Sequence, residues 1–438
     1  MTQQIETSMN AGVRPTNPLN NIQNAVAFTG HNGVPLGGIG AGCVELLPDG
    51  RLANFTTNNN FHRHQRIEFM PGSMFAFAAS DGRVKTLRLL QSRTTLPLGQ
   101  TGQSLLLRDD QIEHEGLYPA ARLRYEIDGL PLELTLHAHG YVVPGDLRRS
   151  CMPAASFRFS VANLGARPLR ATLAFSWENI AGCMHGIFPD GRDRISKIER
   201  GGDLVGLRFD SPNGCRENQR GSHAVYLDGA DDGEATAARF NTWEVSPLLA
   251  QLEDRGRFDA EAWDRRFSAD GEFTGALACS VEVAPGETRD VGFVLAWYFP
   301  DFKVGRSELA GKETSVDDQG HQYAAHFDSV DAVAAEALDR REDTVRTIDA
   351  WHDSLVHSSL PDWLSYMLIN QLAVLTQGTL WAKDGRYSLM ETPFGPMMGT
   401  LDQRFYSSVA TALLFPELER TELELFARTK HPADAGRV

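Results

Sequence analysis

The stretch RLRYEIDGLPLELTLHAH, residues 122–139, sets the class of fold. Leu123, Tyr125 and Ile127 alternate with polar residues, Asp128-Gly129 supplies a tight turn, and Leu132, Leu134 and Leu136 resume the alternation on the way back. Successive side chains of a strand point to opposite faces, so this pattern reads as a β-hairpin with one apolar face. Working outward, the pattern recurs. Phe157, Phe159 and Val161 lead through Asn163-Leu164-Gly165 to Leu169, Ala171, Leu173, Phe175 and Trp177; Val281 and Val283 lead through Pro285-Gly286 to the apolar run 291–299. Both read as further hairpins. Strands with one wet and one apolar face need a second layer to cover the latter, which predicts a β-sandwich over residues 27–328. The polar, acidic segment 210–270 reads as large loops.

On either side of this region the texture changes. Residues 1–26 form a polar leader, expected to be disordered, with no apolar core of signal-peptide length. GVPLGGIGAG follows at 33–42, but a dinucleotide fingerprint starting at Gly38 would need glycine where Cys43 stands. These glycines therefore read as turns and close backbone approaches at the opening of a sheet. Beyond residue 330, Leu338, Val345, Ile348, Trp351 and Leu355 recur at helical spacing, which predicts a connecting helix over 329–360. Pro361 opens another helix through Trp363, Met367, Leu368 and Leu372, ending near Gly378. Asp384-Gly385 then marks a hairpin turn within 379–389, and helices are expected over 402–415 and from Pro416 through Leu418, Leu423 and Phe426. Sheet has given way to helix.

Composition bounds the chemistry. The chain has 438 residues, 42% of them apolar and 23% charged, as in an ordinary soluble globular protein. Its formal net charge of -15 argues against nucleic acid or an anionic membrane surface as partner and favours a neutral substrate. No apolar run approaches bilayer-spanning length, so the default compartment is the cytoplasm. Cys43, Cys151, Cys183, Cys215 and Cys279 are scattered, odd in number and without a C-x-x-C pair, so neither a disulfide framework nor a zinc site is indicated. His62 and His64, after Asn58–Asn60, share a strand face, but two histidines without a third ligand do not define a metal site. No cofactor is expected.

The chemistry-bearing stretch is GRYSLMETPFGPMMGTLDQRFYSSVATALL, residues 385–414. Glu391 lies in a loop too rich in Gly and Pro for a helix, and Asp402 opens the apolar helical run after it. A strand, such a loop and a helix together present a carboxylate to a ligand on a rigid scaffold. Two readings of Asp402 stand, helix N-cap and ligand, and Thr400 is equally a turn residue or a contact. Trp177, Trp351, Trp363 and Trp381 suit a core or domain interface.

Five stretches taken together resemble glycoside hydrolase family 116, the bile-acid β-glucosidase or non-lysosomal glucosylceramidase family: 33–42; YPAARLRYEIDGLPLELTLHAHGYVVPGD at 118–146; LAFSWENIAG at 173–182; LVHSSLPDWL at 355–364; and 385–419. The resemblance implies an amino-terminal β-sandwich and a carboxyl-terminal (α/α)6 barrel, of which residues 361–438 would be the first helices, the barrel being incomplete in this chain. It implies that Glu391 is the nucleophile of a retaining β-glycosidase, with Thr400 and Asp402 shaping the sugar site, and that the acid/base is an Asp beyond residue 438. Trp381 and Phe394 would offer apolar contact to a sugar face. The chain departs from the family in having Thr392 directly after Glu391, and small residues in the loop before Thr400. The implied substrate is a β-glycoside of a small molecule or a glycolipid, with at most peripheral membrane contact. An inverting glycoside phosphorylase, which would not use Glu391 as nucleophile, and a catalytically silent carbohydrate-binding scaffold are the competing functions.

Overall fold

The structure, a computed structural model, describes residues 33–61, 66–94, 96, 98, 102–184, 195–201, 204–214, 217–228, 233–259, 274–304, 317–390 and 399–429. His62, His64, Cys215, Glu391 and Phe394 lie outside them. Strands β1 (Val34–Gly37), β2 (Cys43–Leu46) and β3 (Leu52–Ala53) form a small sheet. There follow β4 (Met74–Ser80), β5 (Lys85–Leu89), β6 (Ile112–Leu117), β7 (Ala120–Tyr125), β8 (Leu132–His139), the short helix α1 (Leu147–Ser150), β9 (Ala154–Asn163) and β10 (Leu169–Glu178). Next come β11 (Ile195–Gly201), β12 (Leu204–Ser211), β13 (Gly221–Asp228), β14 (Glu234–Phe240), helix α2 (Ser246–Arg255), β15 (Thr274–Val283) and β16 (Thr288–Tyr298).

Two large antiparallel sheets result, with strand orders β14-β15-β10-β4-β5 and β11-β12-β13-β16-β9-β8-β7-β6. Their inner faces meet through aromatic rings. Phe75 lies 5.1 Å from Phe157 and 5.2 Å from Phe159 across the interface, and Phe175 lies 5.8 Å from Phe293. The hairpin read from 122–139 forms, with Leu123 opposite Leu136 and Tyr125 opposite Leu134, so the connection between β7 and β8 is longer than a two-residue turn at Asp128-Gly129.

The other two expected hairpins are not hairpins. β9 pairs with β8 and β16, whereas β10 pairs with β4 and β15. The link at 163–169 therefore carries the chain from one sheet to the other, and so does the link at 283–288. Asn163 joins the two crossings: its side-chain amide donates to the carbonyls of Arg167 and Val283 at 2.8 Å, and its backbone N–H donates to Glu287 at 2.9 Å. Period-two alternation fixes which face of a strand is buried; it does not name the neighbouring strand. The segment 210–270 is likewise more structured than expected, since it holds β13, β14 and α2. Its polar character reflects an edge strand and a helix with one wet face. Leu248, Leu249 and Leu252 of α2 cover Met74, Ala76 and Ala278 on the outer side of the five-stranded sheet.

The helix expected as a connector, α3 (Val330–Val356), lies on the outer face of the eight-stranded sheet. Ser329 caps it by accepting from Ala332 N–H, and Val333, Ala334 and Ala337 pack on Ala154, Ala224 and Val294. These small residues allow close approach, and ion pairs fix the docking at its edges. Asp331 meets Arg208 at 2.8 Å and the Tyr226 hydroxyl at 2.7 Å, Asp343 meets Arg149 at 2.7 Å, and Arg341 pairs with Asp228.

Strands β17 (Lys303–Val304) and β18 (Asp317–Asp318) pair with each other before α3. After it come α4 (Asp362–Asn370), whose N-cap is Pro361, then α5 (Val374–Gln377), β19 (Thr379–Trp381), β20 (Tyr387–Leu389), α6 (Leu401–Leu414) and α7 (Pro416–Thr429). The single helix expected from Pro361 to Gly378 is thus broken by a 3-10 turn at Gln371–Ala373. Trp363, expected in the core or at a domain interface, is 60% exposed in this chain, and Val409 and Leu413 are exposed at 63% and 77%. The apolar residues of α4 and α6 extend beyond the faces that have neighbours in this chain. Replacing Leu413 with Asp is expected to change stability in this chain by less than about 0.5 kcal/mol, because no buried contact is lost. Chemical denaturation giving a loss above 2 kcal/mol would contradict the exposure of that face. Among the described residues no helix is long and apolar enough to cross a membrane, and no group of three His, Cys, Asp or Glu is placed to hold a metal ion.

Candidate active site

The β19–β20 hairpin leads directly to Glu391, so its seating decides where that residue starts. The hairpin closes at Asp384-Gly385: Gly385 has φ +91°, and the Asp384 carboxylate accepts from Arg386 N–H at 3.1 Å. Beneath it lies the glycine-rich segment. Gly40, at φ +65°, donates its N–H to Thr379 Oγ1 at 2.9 Å and packs so tightly that a Cβ there would sit 2.6 Å from the backbone nitrogen of Trp381. The Gly40 carbonyl accepts from His321 Nδ1 at 3.1 Å, and His321 Nε2 lies 2.6 Å from Asn59 Oδ1. The Asn59 amide in turn donates to the carbonyls of Asn218 and Asp301. This chain of contacts joins loops at the end of the large sheets to the hairpin. The glycines are therefore points of close approach, as the failed nucleotide fingerprint implied.

A second anchor lies on α5. Gln377 donates to the buried Glu45 carboxylate at 2.7 Å, and Glu45 also accepts from Asn54 at 2.8 Å and from Gly33 N–H at 3.1 Å. Burial pushes the Glu45 carboxyl above its usual range, against the pull of these donors and of Arg66. Tyr118 holds the other end, its hydroxyl 2.6 Å from Thr376 Oγ1 and its carbonyl accepting from His352 at 2.8 Å.

The loop that carries Glu391 and Phe394 has a closed stem. Met390 N–H donates to Gly378 at 2.7 Å, and Gly399 N–H donates to Leu389 at 2.8 Å. The chain leaves and rejoins the scaffold at neighbouring points, then enters α6. Thr400 occupies the N-cap position, and Asp402 is the second residue of the helix. The cap reading thus passes from Asp402 to Thr400. Yet the Thr400 side chain makes no cap bond, and its hydroxyl oxygen is buried with no partner among the described residues. Trp381 is 5% exposed, packed in the core edge-on to Tyr387 with ring centres 6.5 Å apart. Burial raises the Tyr387 hydroxyl pKa, and Glu422 adds to the effect.

Sequence reading missed the charged group behind this stem. Glu422 of α7 accepts from Ser388 Oγ at 2.8 Å and from Leu389 N–H at 3.0 Å, and its other oxygen lies 2.9 Å from Arg404 of α6. Arg404 also pairs with Glu419. A signal existed: Phe415, Leu418, Glu419 and Glu422 follow the i, i+3, i+4, i+7 spacing of one helix face, so two carboxylates stand on the apolar stripe of α7. Charges on a buried stripe require a partner.

Comparison with known proteins gives the class of the chain. The profile described as "beta-glucosidase 2, glycosyl-hydrolase family 116 N-term" matches residues 33–344. The chain belongs to glycoside hydrolase family 116. Among solved structures, it is similar to a putative kojibiose phosphorylase from human microbiome, with 9% identity, a TM-score of 0.39, and coverage of 84% of this chain and 41% of that one. It is also similar to a GH36 α-galactosidase from Geobacillus stearothermophilus in complex with raffinose, with 9% identity, a TM-score of 0.27, and coverage of 60% and 40%. The chain spans about two fifths of the length of these structures, and the functional reading rests on neither.

Proposed function

We propose that this chain supplies the nucleophile half of a retaining β-glycosidase of the β-glucosidase or glucosylceramidase type, acting on a β-glycoside of a small molecule or a glycolipid. In this reading the two-sheet body is the family's amino-terminal β-sandwich, and α4 to α7 are the first helices of its (α/α)6 barrel. Glu391 attacks the anomeric carbon and the aglycone oxygen leaves with a proton from an Asp acid/base outside these 438 residues. The same Asp then activates water, which releases the sugar with its configuration retained. Glu391 must stay ionised to attack, and Thr400 and Asp402 interact with the sugar hydroxyls. The observation that carries the reading is the stem. The segment that carries Glu391 leaves the scaffold after Leu389 and returns at Gly399, which Leu389 holds by a hydrogen bond, and Thr400 and Asp402 follow directly, which supports a nucleophile held near sugar-binding groups. The Thr400 hydroxyl, without a partner among the described residues, supports it, since a buried donor without a partner is costly unless a ligand supplies one.

The test uses the full-length enzyme containing this chain. Incubation with a 2-fluoro-glycoside that traps the glycosyl-enzyme, followed by peptide mass spectrometry, is expected to place the label on Glu391, and the first-formed sugar product should keep the β configuration. An inverted product with no label would move the phosphorylase reading ahead.

A further inference from the structure

We propose that Glu422, held by Arg404, is a positioning residue for the catalytic loop. The inference rests on the proposed function and adds residues that the sequence resemblance does not assign. Leu389 lies two residues before Glu391. Its N–H is held by Glu422 and its carbonyl by Gly399 N–H, so both polar groups of the strand's last residue are fixed at the point where the loop begins. Ser388 adds a second bond from the same strand to the same Glu422 oxygen. Gly399, the residue at which the loop returns, lies against this pair: at φ +61°, a Cβ there would be 2.7 Å from Ser388 Oγ and 3.1 Å from Glu422 Oε1. One carboxylate thus touches the exit strand and fits against the return residue.

Arg404 gives that carboxylate a fixed origin. It is 3% exposed and Glu422 is 1% exposed, so the pair is desolvated and its geometry is not loosened by water. Arg404 lies two residues beyond Asp402 in the first turns of α6, where its N–H meets the Thr400 carbonyl at 3.3 Å. Glu419, also paired with Arg404, ties the guanidinium to the start of α7. The strand that delivers the nucleophile and the helix that delivers Thr400 and Asp402 are therefore referenced to each other through one ion pair. A shift of about 1 Å between such groups slows a reaction about 10²-fold, even when the residue changed touches no substrate.

The test measures the first-order rate constant for trapping Glu391 with the 2-fluoro-glycoside in the full-length enzyme. Glu422→Ala is expected to slow trapping and kcat about 10²-fold while KM stays within about threefold. Glu422→Gln keeps a carbonyl oxygen for Ser388 and Leu389 N–H and is expected to recover at least a tenth of the wild-type rate. A merely structural role would lower the labelled fraction and leave the rate constant of the folded fraction as it was. Should Glu422→Ala fail to fold, Ser388→Ala removes one bond without stranding a charge, and it should slow trapping severalfold at unchanged Tm. A wild-type trapping rate in folded Glu422→Ala, or in Ser388→Ala where Glu422→Ala does not fold, would overturn the proposal. If the wild type itself is not labelled at Glu391, the proposed function falls and this inference falls with it. If it is labelled and the variants match it, only the positioning role falls.

Discussion

Lowering the pH from 6.5 to 4 is expected to unfold the two-sheet body, with the melting temperature falling continuously over that interval. The cause is a set of neutral, buried imidazoles. Burial depresses His114 and His321 to about 4 and His139 and His223 to about 3, with Arg158, Arg341 and His137 pushing His139 down further. In the unfolded chain each of these rings takes up a proton near pH 6.5. Above that value both states are neutral, and the folded state keeps its full advantage. Below it the unfolded state binds protons that the folded state refuses, so stability drops until the folded rings themselves titrate. Each tenfold difference in proton affinity is worth about 1.4 kcal/mol, so four such rings together cost on the order of 10 kcal/mol by pH 4, comparable with the usual 5–15 kcal/mol of domain stability. Glu45 works in the opposite sense, because burial has raised it and acid neutralises it in place, but it is one group against four. Calorimetry across pH 7.5 to 4 checks the expectation. A melting temperature flat over that range would show that the rings carry protons in the folded protein.

The second large effect is expected at Gly40. Alanine there must adopt φ +65° and place its Cβ 2.6 Å from both the nitrogen and the Cβ of Trp381, atoms that cannot swing aside. The left-handed conformation costs about 1–2 kcal/mol and overpacking about 1–3 kcal/mol more, so Gly40→Ala should lose about 2–5 kcal/mol. Gly82 provides the control. It has φ +83° but nothing within 4 Å of the added carbon, so Gly82→Ala should show the conformational cost alone. Equal losses in the two variants by urea titration would mean that the Gly40 contact with the hairpin is not tight. A larger loss at Gly40 measures the seam that seats β19.

How much of this was legible depended on the range of each signal. Alternation in 122–139 located both strands and their pairing, because a two-stranded hairpin is a local object. The same alternation at 157–177 and 281–299 gave the strands and their buried faces but the wrong partners, since the choice between pairing back and crossing to the other sheet is made by residues far away in sequence. Helical spacing located α3 and α7 closely. It left Trp363 open between core and domain interface, because a stripe reveals an apolar face without revealing what covers it, and in this chain that face is exposed. The proposed site was read as a motif. Glu391, Thr400 and Asp402 stood out from Gly, Pro and the helix start, whereas the grip of Glu422 on Leu389 spans 33 residues and leaves only two misplaced carboxylates as its trace.

The crossings beside Asn163 also govern how the chain comes together in time. Because β9 and β10 are consecutive yet lie in opposite sheets, and β15 and β16 do the same, neither sheet can be completed from a contiguous piece of chain. A nascent polypeptide that has reached β10 still lacks β15 and β16, the central strands against which β10 and β9 must pair. Loop closure over more than a hundred residues precedes most of the reward, which makes for slow, concerted assembly. Until β16 arrives, the inner faces carrying Phe75, Phe157 and Phe175 are open apolar surfaces prone to association with other chains.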